Sequence, residues 1–84
     1  MSEELMQKIL EILVRKKRYA QQDFVDAKEI DQELNIGLDY VREALDRMEY
    51  LGLIKILRTG GNTYNAEILP KGLLVYDNLG KKTN

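Results

Sequence analysis

Val25–Ile54 reads VDAKEIDQELNIGLDYVREALDRMEYLGLI, and Lys55–Leu69 continues KILRTGGNTYNAEIL. Asp26 is placed as an N-cap, and Glu29 three residues later completes a D-x-x-E variant of the capping box. The spacing predicts a helix from there to about Leu34 that buries Ala27, Ile30 and Leu34. Asn35, Ile36 and Gly37 then form a turn, with Asn35 suited to left-handed backbone and Ile36 as an apolar plug beneath the helices. A second, longer amphipathic segment follows from about Leu38 to Leu51. Val41, Ala44, Leu45 and Met48 share one face of it, and Gly52 ends it as a C′ glycine. Leu53–Arg58 alternates weakly, with Ile54 and Ile56 on one face and Leu53, Lys55 and Leu57 on the other. Thr59, Gly60, Gly61 and Asn62 supply a hairpin loop, and Thr63–Leu69 returns as the partner strand.

On the N-terminal side, Ser2 to about Arg18 reads as a helix. Ser2 caps it, Glu3 and Glu4 suit its start, and Arg15, Lys16, Lys17 and Arg18 suit its end. Leu5, Ile9 and Ile12 make an apolar row beside Met6, Leu10 and Leu13, an arc broader than a small core requires. Either the helix is sandwiched within the domain or part of it, Leu5, Ile9 and Leu13, packs on a second copy. Tyr19–Val25 reads as a loop ending in a short extended piece around Phe24 and Val25. On the C-terminal side, Pro70 opens a last helix to about Leu79, whose Leu73, Leu74, Tyr76 and Leu79 return to the first helix. Residues 79–84 read as a flexible tail. The expected fold is α+β, mainly α, in one domain over residues 1–84: a three-helix core, a β-hairpin and a short C-terminal helix.

Composition narrows the chemistry. With 84 residues, 44% hydrophobic and 32% charged, the chain is ordinary for one small globular domain. It has no Cys and no His, so a zinc-stapled fold, imidazole acid–base chemistry and thiol nucleophiles are not expected. Gly60-Gly61 is a turn signal without the spacing of a phosphate-cradling loop. The sequence therefore reads as a non-enzyme, and no ligand, metal or cofactor is implied. The longest mostly apolar run, Ile9–Val14, is too short to cross a bilayer. Nor does an N-terminus opening Ser2, Glu3, Glu4 resemble a secretory signal. A cytoplasmic protein without membrane partners is expected.

Val41, Arg42, Ala44, Leu45, Met48, Gly52, Leu53 and Ile54 follow the pattern V-R-x-A-L-x-x-L-x-x-x-G-L-I, with Met48 in place of Leu. Pro70, Lys71 and Gly72 are similar to the T-P-K-G step that commonly follows such a hairpin. On these residues the chain resembles the winged helix-turn-helix transcriptional regulators of bacteria and archaea, over nearly its whole length. The resemblance implies a homodimer that sets its third helix and its wing against double-stranded DNA. The groove-facing positions would be Leu38, Asp39, Arg42, Glu43 and Asp46. Departing from the family, Gly37 stands where Ser or Thr usually caps the third helix.

Charge complicates that implication. Residues 19–35 hold one basic and five acidic groups, and residues 36–52 hold two and four. Residues 53–84 hold five basic and two acidic groups. Phosphate neutralisation supplies most nonspecific affinity, so DNA contact is expected from Arg42 and from the wing, Lys55, Arg58 and Asn62. Arg15–Arg18 reads either as a phosphate cluster or as a solvated helix end. Arg47 is expected to pair with Glu43 within the helix. Tyr40 and Tyr50 give the third helix more aromatic surface than base reading needs. An alternative function follows from them: a protein-interaction module whose acidic third helix binds a protein partner without DNA.

Overall fold

The structure is a computed structural model that describes residues 3–61 and 63–82. The apolar arc of the N-terminal segment winds into α1 (Glu3–Tyr19), with Glu3 and Glu4 in its first turn and Lys16, Lys17 and Arg18 in its last. The expected cap at Ser2 lies outside the described residues. Ile9, Leu10, Ile12, Leu13 and Val14 are all buried. The arc is wide because α1 is the central helix, packed against the third and fourth helices and the sheet. Ile9 is 0% and Leu13 2% exposed, so neither offers surface to a second copy. The expected dimer face on α1 is thus corrected to a core face, with only half-buried Leu5 at its margin.

After α1 come β1 (Val25–Asp26), α2 (Ala27–Leu34) and α3 (Leu38–Tyr50). Asp26 caps α2 by accepting from the Lys28 N–H at 2.8 Å. Glu29 leaves the capping box open. Its carboxylate instead accepts from Gln22 Nε2 at 2.9 Å and meets Lys16 Nζ at 3.3 Å. Asn35 ends α2 in the left-handed region, φ 53° and ψ 47°. The following turn is held by a residue the sequence did not mark: Asp31 Oδ1 accepts from the Ile36 N–H at 3.0 Å and the Gly37 N–H at 2.9 Å. Gly37 has φ 108° and no side chain to cap α3, so Asp31 satisfies the donors around the helix start from the preceding helix. Ile36 is 39% exposed rather than plugging the core; Asp31 turns its backbone inward and its side chain outward. Asp31→Ala is expected to cost about 0.5–2 kcal/mol, the range for losing a side-chain acceptor at a helix start, because two exposed donors lose one acceptor. Urea denaturation measures this; a loss under about 0.3 kcal/mol would remove Asp31 from the turn.

Gly52, at φ 79°, is the C′ residue of α3. The Leu53 N–H reaches the Met48 carbonyl and the Gly52 N–H the Glu49 carbonyl, both at 3.0 Å. This is a Schellman closure, with Leu53 and Met48 as its apolar pair. Leu53, expected beside Lys55 and Leu57 on the outer face, is only 6% exposed, because it ends the helix before the strand begins. β2 (Ile54–Leu57) and β3 (Asn65–Ile68) pair antiparallel, with Ile54 opposite Ile68 and Leu57 opposite Asn65. β1 adds Val25 opposite Ala66, giving the order β1-β3-β2. Both hairpin strands are shorter than expected.

α4 runs Pro70–Lys82, so the helix continues through positions expected to be tail. Residues 83 and 84 lie outside the described set. Lys71 Nζ donates to the Leu51 carbonyl at 2.8 Å, closing an open acceptor at the end of α3. Leu73, Tyr76 and Leu79 pack on the core, whereas Leu74, expected there too, is 62% exposed. Helix, strand, two helices, hairpin and helix around one core make a winged helix-turn-helix. Among the described residues, no helix is long and apolar enough to cross a membrane.

Candidate nucleic-acid interface

The basic end of α1 and the acidic stretch after it largely cancel. Arg15 pairs with Glu33, Lys16 with Glu29 at 3.3 Å, Lys17 with Asp23 at 3.2 Å, and Arg18 with Asp77 of α4 at 3.4 Å. Such exposed pairs contribute roughly 0–1 kcal/mol each, so their main effect is on the field. Asp23, Glu29 and Glu33 are neutralised locally, while Asp26 and Asp31 serve backbone donors. Arg15–Arg18 is therefore neither a phosphate cluster nor simply a solvated end; it joins α1 to α2 and α4.

On α3, positions 42, 46 and 49 form one ridge at helical spacing, and the wing root packs along it. Arg58 Nη2 donates to Asp46 Oδ1 at 3.1 Å and to Glu49 Oε1 at 3.3 Å. Tyr64 Oη donates to Asp46 Oδ2 at 3.3 Å. The Tyr64 ring lies 5.0 Å from the Arg58 guanidinium carbon and 5.6 Å from that of Arg42. Both distances are within cation–π range. Glu49, then Tyr64, raise the Arg58 guanidinium above its ordinary range. Glu49 also accepts from the Ile56 N–H at 3.1 Å. That bond covers the outer edge of β2, where an unpaired donor would invite another strand. Behind the ring, the Tyr64 carbonyl accepts from the Ala27 N–H at 2.8 Å, so the start of α2 meets the same junction.

Of the positions expected to face a groove, Asp39 and Glu43 are exposed. Leu38 is half-buried against the core, and Arg42 and Asp46 turn toward the wing. The outward face of α3 comprises Asp39, Tyr40, Glu43, Arg47 and Tyr50, with Tyr40 65% and Tyr50 81% exposed. The Arg47 guanidinium carbon lies 5.7 Å from the Tyr50 ring, and no ion pair joins it to Glu43. Arg42 and Arg58 are thus brought together through Tyr64. Lys55 stands exposed on β2, and neither it nor Lys28 of α2 forms an ion pair among the described residues. Asn62 lies outside the described residues. Sequence reading missed Tyr64 as the organiser of this junction. The available signal was a single tyrosine just before the second strand, which periodicity does not distinguish from a packing residue.

The arrangement sets two guanidinium groups and an aromatic ring where a helix meets a β-hairpin. No protein-family model matches the chain, and no curated protein matches it significantly. Solved structures do resemble it. AF1382 of Archaeoglobus fulgidus is 16% identical with a TM-score of 0.79, and the match covers 99% of this chain and 88% of that one. A proposed DNA-binding protein of Ralstonia eutropha is 13% identical with a TM-score of 0.79, and the match covers 94% of this chain and 98% of that one. At such identities the likeness shows the fold alone.

Proposed function

We propose that this chain is a DNA-binding protein of the winged helix-turn-helix regulator type, a binding module rather than a catalyst, working in the cytoplasm as a homodimer. The observation that carries the reading is the convergence of Arg42 and Arg58 on Tyr64. It places two guanidinium groups where α3 meets the wing, with Arg58 paired there to Asp46 and Glu49, while Lys28 and Lys55 are exposed and form no ion pair among the described residues. Internal pairing of the α2 acids supports it, since they repel phosphate less than their number implies. The fold likeness to a proposed DNA-binding protein supports it too. A dimer doubles the phosphate contacts of one protomer.

Fluorescence anisotropy with duplex DNA across a salt series tests this. The expected result is binding that weakens steeply with salt, and a Lys28→Glu, Lys55→Glu variant at least about tenfold weaker. No binding by the unaltered protein at 25–50 mM salt (roughly the range where phosphate contacts are strongest) would reject the reading. One observation favours the second reading, an interaction module for a protein partner: Tyr40 and Tyr50 stand largely in solvent on a face with Asp39 and Glu43. That module survives a negative DNA titration, so the same measurement separates the two.

A further inference from the structure

Arg58 of the wing root is already occupied. Its guanidinium is held by two carboxylates of α3, Asp46 at 3.1 Å and Glu49 at 3.3 Å. A guanidinium engages carboxylate and phosphate oxygens through the same charge-assisted hydrogen bonds. We infer that Asp46 and Glu49 form an internal latch that mimics phosphate, holding Arg58 away from nucleic acid until a backbone phosphate displaces them. The inference rests on the DNA-binding reading and names how that site is held in check.

The latch is weak enough to open. The Arg58 side chain is 47% exposed, Asp46 50% and Glu49 35%, and ion pairs so hydrated are easily exchanged. Opening leaves the fold intact. The Ile56 N–H keeps Glu49 Oε2, which it shares with Arg58 Nη1 at 3.5 Å, and Tyr64 keeps Asp46 Oδ2, so neither bond needs Arg58 as a donor. The cost of opening is electrostatic: once Arg58 turns to a phosphate, two carboxylates face the DNA uncompensated. Neutralising them removes that cost and frees one cation.

The test compares the unaltered protein with Asp46→Asn, Glu49→Gln, both nearly isosteric, in duplex titrations across a salt series. Glu49→Gln retains a carbonyl acceptor for Ile56. The variant is expected to bind about tenfold tighter at low salt, each removed charge counting a few-fold at this distance and hydration. Its log K against log salt should steepen by about one, because the unaltered protein, on making the same Arg58 contact, frees two carboxylates that take up cations. Adding Arg58→Gln should abolish the gain. A gain that survives Arg58→Gln reflects general relief of repulsion and overturns the latch, as does a variant within twofold of the unaltered protein with the same slope. If neither protein binds duplex DNA, the DNA reading falls and takes the latch with it. Thermal melts establish that each variant is folded, and Asp46→Asn alone serves if the pair is not.

Discussion

Ile9→Asp is expected to leave no folded protein at any concentration. Ile9 is fully buried in the centre of α1, among a core that includes Leu13, Val25, Ile30, Leu45 and Met48. A carboxylate there has no cation and no donor to receive it, and an unpaired buried charge costs several kcal/mol or forces itself neutral at nearly the same cost. The whole stability of an 84-residue domain is about 4–12 kcal/mol, so the substitution removes most or all of it. Sedimentation joined to far-ultraviolet dichroism makes the measurement decisive about α1. A core position gives an unfolded chain at every concentration. An interface position gives a helical, folded monomer that no longer associates, and that outcome would restore the dimer face the apolar arc first implied. Ile9→Val, by contrast, is expected to cost only about 0.5–1.5 kcal/mol.

The contrast between those outcomes marks where sequence stops informing. Periodicity located all four helices and both hairpin strands, because apolar spacing and positive-φ residues are local properties. Gly52 at φ 79° and Asn35 at φ 53° stand where the turn chemistry put them. Periodicity did not say what covers a wide arc: Ile9 and Leu13 look the same in sequence whether α4 or a second chain lies over them. The third strand, Val25–Asp26, was visible only as extended backbone, since its pairing with Asn65–Ala66 is long-range. Charge was the least legible. The net acidity of residues 19–35 is real, yet Lys16 meets Glu29 of α2 and Lys17 meets Asp23 of the loop before β1. Arg58 was expected to face DNA because nothing local engages it; its carboxylate partners lie 9 and 12 residues away on α3. Tyr64 gathers two arginines from separate elements, a juxtaposition that no single segment records.

Gly72→Ala is expected to be the most damaging substitution of a single methyl group. Gly72 lies in the first turn of α4, where the helix crosses the end of α3 and the start of β2. A Cβ built there overlaps the Leu53 carbonyl oxygen and comes within 2.8 Å of Ile68 Cγ1. The first obstacle is backbone and cannot rotate away. That same carbonyl accepts from the Leu69 N–H at 2.9 Å, so displacing it also strains the bond that brings the chain from β3 into α4. Helix propensity argues the other way, since alanine is favoured over glycine by about 1 kcal/mol in a helix interior. Overpacking a close contact costs about 1–3 kcal/mol and occasionally more. With a fixed carbonyl as the obstacle, the steric cost wins, and a net loss of about 2 kcal/mol should lower Tm by roughly 8–16 °C. Lys71→Met separates the cause: it removes the donor to Leu51 without adding bulk, and should lower Tm by less than half as much. A Gly72→Ala melt at or above that of the unaltered protein would mean that α4 does not approach Leu53 this closely. The P-K-G step would then reflect helix initiation at Pro70 rather than the docking of α4 onto the helix-turn-helix.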